Sequence, residues 1–244
     1  MTKPRMSAMD PLGLSEAMPA MSSRAEGKGL GLRGVVSPAE SVAMSVSDGE
    51  LQAAARVKLS LGATGKVFAV TGLAPGDGSA DLAVRLGAAL AAVEPAPVLL
   101  VDGSVAEPTQ AAAFGLPAKP GLLEVLRGDV ELSSAVHSVG PPNLSVLPLG
   151  KGDASLASLL AGPNAATVLA QIRDRYRYVV IEVGLVQKAP DALLLAAMTD
   201  GVVVAAATGD RRRHELQGLK QDLDRMKIPL LGVVLTTGGG RSKR

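Results

Sequence analysis

Cysteine and tryptophan are absent from the 244 residues, histidine occurs twice, and phenylalanine and tyrosine occur twice each. Without cysteine there is no disulfide and no thiolate metal site, so a reducing, cytoplasmic setting is expected. With aromatics at 2% of the chain, the core has to be packed from Ala, Val and Leu. His137 and His214 stand alone in the sequence, so neither a histidine metal site nor a nucleophilic triad can be assembled around them. No apolar run is long enough for a membrane span. The most apolar stretch, Ala192–Thr208, is interrupted by Asp200 and Gly201. Lys3 and Arg5 are not followed by an apolar segment, so no secretory leader is expected.

Charge is nearly balanced, at a formal +2, but it is uneven. From Arg211 onward nine Lys and Arg face only Glu215, Asp222 and Asp224, so this end carries +6 and the rest −4. A basic end suits an acidic protein, a phosphate or a membrane surface. It lacks interleaved aromatics, and nucleic acid is not an expected partner. The run Arg211–Arg213 reads first as a solvated helix face.

What is present is regular patterning over most of the chain. Hydrophobic residues make up 47%, enough for one sizeable domain. Residues 1–49 hold six of the eight methionines among Gly, Ser and Pro, with no sustained period, and are expected to be disordered or loosely ordered. Glu50–Leu61 has helical spacing. Strand-like runs follow at Val67–Thr71, Pro97–Val101, Leu144–Pro148, Tyr178–Val183, Gly201–Ala206 and Leu230–Leu235. Helical patterns lie between them, near 79–93, 121–127, 153–175, 190–199 and 211–226. Strands that alternate with helices, several of them continuous apolar blocks, predict an α/β domain over 50–236. Its mostly parallel sheet is flanked by helices, and a basic tail follows at 237–244. Ligands of such sheets bind beyond the carboxyl ends of the strands. That edge gathers the turn 72–80, the loop Asp102–Pro108 and the loop Val183–Pro190.

Lys66–Asp81, KVFAVTGLAPGDGSAD, is a strand, a Gly- and Pro-bearing turn and a helix start. This is the setting of a triphosphate-binding loop, in which Gly76 and Gly78 let backbone N–H groups approach a phosphate. Such a loop also uses a Lys for the phosphates and a Ser or Thr hydroxyl for Mg²⁺. Those two positions are Ser79 and Ala80.

With these landmarks, the chain from about Glu50 to Thr236 resembles the bacterial tyrosine kinases (BY-kinases) of capsule and exopolysaccharide systems. These are P-loop ATPases related to ParA and MinD. The resemblance rests on an ordered set of segments: VFAVTGLAPGDGSAD at 67–81, VLLVDGSVAEPT at 98–109 and FGLPAKPGLLEVLRGD at 114–129. PNLSVLPLG at 142–150, RYRYVVIEVG at 175–184, PDALLLAAMTDGVVV at 190–204 and LLGVVLT at 230–236 complete it. ParA and MinD carry a signature Lys where this chain has Ala74, which favours the BY-kinase branch.

The resemblance implies a P-loop fold, with Pro75, Gly76, Asp77, Gly78, Ser79, Ala80 and Thr236 around a nucleotide. Thr236 takes the place of an adenine-side Asn. It also implies two acidic motifs. Asp102 keeps the first acid of one, Ser104 replaces its second, and Glu182 stands for the Asp of the other. If Mg²⁺ binds, Asp102 and Glu182 are its candidate ligands; no firm metal site is read. Asp81, one turn into the helix, would repel a nearby triphosphate. Lys188 is the candidate to pair with Glu182 or to stand in for the lost Lys. The family's oligomerisation motif, ExxRxxR, survives as Glu50 and Arg56 with Ala53 between. Those two charges are expected to meet a neighbouring molecule in a homo-oligomer. The family's C-terminal tyrosine cluster has no counterpart here, and Tyr176 and Tyr178 are expected to be structural.

The expected function is therefore a degenerate BY-kinase, a pseudo-kinase with no catalytic residue set intact. It would require no cofactor, or bind ATP or ADP with Mg²⁺ only weakly. It would sit in the cytoplasm, or peripherally at the inner membrane, bound to a polysaccharide co-polymerase or to an active kinase. The alternatives are a residual tyrosine kinase or ATPase of the same family, and a ParA/MinD-like positioning protein.

Overall fold

The computed structural model describes residues 46–139, 143–208 and 212–236. The expected loose region up to residue 45, Arg211 and the tail from 237 lie outside the described residues.

The chain opens with α1 (Asp48–Leu61), two residues earlier than the sequence pattern suggests. Ser47 caps it: its hydroxyl accepts from Glu50 N–H, and Glu50 accepts from Ser47 N–H at 2.7 Å. This reciprocal box satisfies two of the N–H groups that a helix start leaves unpaired. Then follow β1 (Val67–Gly72), α2 (Ser79–Val93), β2 (Val98–Asp102), α3 (Gln110–Ala113), α4 (Leu122–Arg127) and α5 (Leu132–Ala135). The rest of the chain builds β3 (His137–Ser138), β4 (Leu144–Leu147), α6 (Leu156–Leu160), α7 (Asn164–Arg175), β5 (Tyr178–Glu182), α8 (Pro190–Ala197), β6 (Val202–Ala207), α9 (Arg212–Arg225) and β7 (Leu230–Thr236).

The seven strands form one sheet in the order β3-β4-β2-β5-β1-β6-β7. Every pairing is parallel except β3 with β4. The parallel α/β architecture expected from the sequence is the one found. The apolar blocks are explained by burial on both faces. In β1, Val67 and Ala69 enter one core while Phe68 and Val70 enter the other. The second core is closed by α1 and α2, through Ala53, Ala54, Val57, Leu82, Leu86 and Leu90. Helices α4, α6, α7, α8 and α9 close the first. A strand with no solvent face has no reason to alternate polar and apolar residues.

One expected element divides. The pattern over 153–175 forms α6 and α7 rather than a single helix, with Gly162 and Pro163 between them. Proline has no N–H to continue the ladder, and it serves instead as the N-cap of α7.

Asp200 secures the opposite end of the sheet from the phosphate loop. Its carboxylate accepts from Lys66 N–H (2.7 Å) and Val67 N–H (2.9 Å) at the start of β1. Arg173 of α7 grips the same carboxylate with two nitrogens, at 3.0 and 2.8 Å. Partial burial pushes this carboxyl upward, but the Arg173 fork and the two N–H groups outweigh it and hold it below the usual carboxylate range. That contribution is present above the unfolded value near 3.8 and is lost as pH falls through the lower folded value. Asp200→Ala leaves two main-chain N–H groups and a guanidinium without their acceptor. It is expected to lower stability by about 1–3 kcal/mol in urea unfolding at pH 7, with a smaller deficit at pH 3.

Candidate functional site

The site lies where the carboxyl ends of β1, β2, β5, β6 and β7 meet. β1 ends at Gly72, and the loop to α2 turns back on itself: Asp77 N–H donates to Ala74 O at 3.2 Å. Gly76 (φ 85°) and Gly78 (φ 77°) both lie in the left-handed region, where a side chain would be strained.

Asp77, between them, is 1% exposed. Its Oδ2 accepts from Leu73 N–H (3.1 Å) and Ala74 N–H (2.8 Å), and its Oδ1 from Ala207 N–H at the end of β6 (3.3 Å). Thr236, at the end of β7, donates its hydroxyl to Asp77 O at 2.8 Å. The loop is thus tied to β1, β6 and β7 by one residue. The N–H groups of Gly76, Gly78, Ser79 and Ala80 have no acceptor among the described residues, and so they are available to an anion. Pro75 and Gly76 are exposed at the rim.

Asp102 and Glu182 end β2 and β5 in direct register. Both are buried, at 1% and 2% exposure. Asp102 Oδ1 accepts from Ser104 N–H (3.2 Å) and Oδ2 from Gln110 N–H (2.9 Å). Burial nevertheless raises its carboxyl, and those backbone donors offset only part of the rise. Glu182 Oε1 accepts from the Ser79 hydroxyl at 2.9 Å and from Gly184 N–H at 3.0 Å. Its Oε2 is buried with no hydrogen-bond partner. Burial pushes the Glu182 carboxyl up to about 7, and Asp102 beside it adds to the rise. The Ser79 hydroxyl and Gly184 N–H oppose it without cancelling it.

The structure brings together Asp77, Gly78, Ser79, Thr236 and Glu182, with Asp102 and Ser104 next in line. It separates others. Lys188 is exposed and does not pair with Glu182, whose bonded oxygen is engaged by Ser79 and Gly184. Thr236 spends its hydroxyl proton on the loop rather than holding it for a base. Asp81 does not stand as a bare charge: Arg85 Nε donates to it at 2.7 Å. Glu50 is engaged within the chain, one oxygen in the Ser47 cap and the other on Arg85 at 2.6 Å. The expectation that it faces a neighbour is corrected: the contact it makes joins α1 to α2. Ala53 is buried between those helices, at a place with no room for a solvated Arg. Arg56 is exposed on the outer side of α1. Tyr178 is a structural residue, buried at 2%, with Arg177 over its ring at 4.6 Å. No local pattern announces Gln110, whose fully buried side-chain amide has no hydrogen-bond partner on either atom among the described residues.

No family model matches the chain. Tyrosine-protein kinase CpsD of Streptococcus pneumoniae is 27% identical over 171 residues, 70% of this chain and 75% of that one. Tyrosine-protein kinase YwqD of Bacillus subtilis is 27% identical over 170 residues, 70% of this chain and 71% of that one. Among solved structures, the chimerical protein CapA2B2 superposes with a TM-score of 0.73 at 25% identity, over 78% of this chain and 84% of that one. An ATP complex of Cyanothece McdA shares the fold more distantly, with a TM-score of 0.55 at 22% identity over 71% and 69% of the two chains. The chain is a P-loop-type α/β protein. It is related to the bacterial tyrosine kinases, in sequence as in fold.

A carboxyl raised from 4.5 to about 7 takes up a proton on folding. Its stabilising share is present below about 4.5 and is lost as pH rises through about 7. Glu182→Gln keeps an acceptor for Ser79 and removes that titration. Thermal melts should place the variant roughly 5 °C above the parent chain at pH 8.5, with the gap closing toward pH 5.

Proposed function

We propose that this chain is a catalytically silent member of the BY-kinase group. In this reading it keeps the phosphate loop as a scaffold and serves as a binding or regulatory partner in capsule or exopolysaccharide assembly. The observation that carries the reading is the hydrogen bond from Ser79 to Glu182. Where the family sets a Lys against the β- and γ-phosphates, this chain sets a neutral hydroxyl that is already committed to a buried acid. Phosphoryl transfer depends on cations that follow the developing charge, and Arg85 in α2 is already engaged by Asp81 and Glu50.

The donor set also argues against a magnesium ion. Ala80 has no oxygen to offer. Both Asp102 oxygens accept from main-chain N–H groups, as does Oε1 of Glu182. Among the described residues no three His, Cys, Asp or Glu converge on one point. In phosphate sites magnesium is held by one or two carboxylates, with waters and phosphates completing the octahedron; the two carboxylates that could serve, Asp102 and Glu182, already accept hydrogen bonds here. The expected setting is cytoplasmic, or peripheral at the inner membrane on a polysaccharide co-polymerase or an active kinase. No helix among the described residues is long and apolar enough to cross a membrane.

A second reading, metal-free nucleotide binding, is favoured by one observation. The N–H groups of Gly76, Gly78, Ser79 and Ala80 remain open, and Arg85 neutralises Asp81 beside them. In that case ADP or ATP in EDTA should raise the melting temperature, by roughly 2.7 kcal/mol of stabilisation at 100 times Kd.

Incubation with radiolabelled MgATP is expected to leave the chain and added tyrosine polymers unlabelled. Labelling that disappears in Gly78→Asp would overturn the silent-kinase reading. The double variant Ser79→Lys, Ala80→Thr returns a cation and a hydroxyl to the loop. Calorimetry should then record at least about tenfold tighter MgATP binding than in the parent chain, the effect of one charge-assisted contact.

A further inference from the structure

The edge of the sheet where the strands begin, opposite the phosphate loop, has a surface of its own. Helices α1 and α2 run side by side in one direction: Glu50 meets Arg85 near their starts, and Lys58 meets Glu94 at 3.2 Å near their ends. Their last turns therefore reach this edge together. Two aliphatic side chains stand out there, Leu59 at 82% exposure and Val93 at 45%. The following tips, Leu59–Gly65 and Pro95–Pro97, carry no charge, and Gly62, Ala63, Thr64, Pro95 and Pro97 are exposed. Cations border them. Lys58 and Lys66 flank the first tip, and Arg175 and Arg177 lie where α7 passes into β5. Backbone bonds gather these segments: Arg177 N–H donates to Pro97 O at 2.8 Å, and Val179 N–H to Lys66 O at 2.8 Å. The Tyr178 ring holds Arg177 at 4.6 Å and Lys58 at 5.6 Å. The acids beside them are Glu94, Asp174 and Asp200. Glu94 is matched by Lys58, and Asp200 by Arg173. Lys66, Arg175 and Arg177 remain, with no ion pair among the described residues, against Asp174 alone.

We infer that this edge is a docking face for an anionic lipid surface, with Leu59 and Val93 entering the headgroup boundary and Lys66, Arg175 and Arg177 meeting lipid phosphates. This goes beyond the silent-kinase reading and does not rest on it. Aliphatic groups gain by leaving water at such a boundary, and basic side chains around them gain from the negative surface. An acidic protein would satisfy the cations but would leave two uncharged tips and an exposed leucine with no apolar medium to enter, so the lipid surface fits better. Docked this way, the chain turns its phosphate loop away from the bilayer, because that loop lies at the other end of the same strands. The contact is weak and reversible, since three cations and two aliphatic side chains give far less than a spanning helix. Salt weakens it by screening the exposed charges.

The test exploits the absence of tryptophan from the chain. Leu59→Trp in the full-length protein places a single fluorophore on the face. Leu235→Trp places one at the opposite edge, on β7, where the native side chain is 44% exposed. With vesicles of phosphatidylglycerol and phosphatidylcholine in equal parts, emission from Leu59→Trp should move to shorter wavelength while Leu235→Trp stays unchanged. Vesicles of phosphatidylcholine alone should move neither. In co-sedimentation of otherwise native chains, Arg175→Gln should weaken binding about fivefold, the worth of one basic residue near such a surface. Leu59→Ser should weaken it as well, and added salt should release the native chain. Leu59 and Arg175 are both exposed, and melting curves confirm that each variant is folded. A shift in Leu235→Trp without one in Leu59→Trp would assign the contact to the basic tail and overturn the inference. A shift of Leu59→Trp with polyglutamate but not with vesicles would assign the face to an acidic protein, and it too overturns it. So does vesicle binding unchanged in both Arg175→Gln and Leu59→Ser. None of these outcomes depends on whether the chain transfers phosphate.

Discussion

Two carboxyl groups side by side at the ends of β2 and β5, with no side-chain cation against either among the described residues, set the character of the whole site. The register of a parallel sheet fixes their neighbourhood, since Asp102 and Glu182 cannot move apart without breaking the pairing of Val101 with Ile181. Like charges held in a low dielectric disfavour each other. The cost is met in two ways: main-chain N–H groups donate to Asp102, and the Glu182 carboxyl is pushed up to about 7. Ser79 completes the arrangement, because a hydroxyl is the partner that tolerates either state of the acid.

The loop itself has a different anchor. Asp77 draws in the N–H groups of Leu73, Ala74 and Ala207 and offers its carbonyl to Thr236. Those contacts involve the side chains of neither Ser79 nor Ala80, so the shape of the loop does not depend on either.

Much of the architecture was legible because it is written in local periodicity. Uninterrupted apolar blocks such as Val202–Ala206 admit few settings other than a strand covered on both faces. The Gly162-Pro163 break in the 153–175 pattern was missed, because the apolar period runs on across it while the missing N–H of proline ends one helix and starts the next. Short elements such as α3, α5 and β3 were not readable, since two to four residues carry no period. The site was legible in membership and opaque in wiring. Ser79 and Glu182 are 103 residues apart, and nothing local says that one hydroxyl will find one carboxylate. Asp77 was expected around a nucleotide, and its role as the buried anchor of the loop was not visible, because that burial depends on strands β6 and β7 arriving beside it. Lys188 and Glu50 misled for the same reason: proximity of loops and spacing on a helix do not reveal which partner comes first. Glu50 is claimed by Ser47 and Arg85 before any neighbour can reach it.

The hook between β7 and the loop has a mechanical meaning. Thr236 is where the last strand ends, and its hydroxyl holds the carbonyl of the residue between the two left-handed glycines. A pull on the chain beyond this point is borne by the pairing of Thr236 with Ala207 and by that hook, which leads to the turn preceding α2. A protein that seized the trailing end would have its hand on a lever whose short arm is the mouth of the cleft.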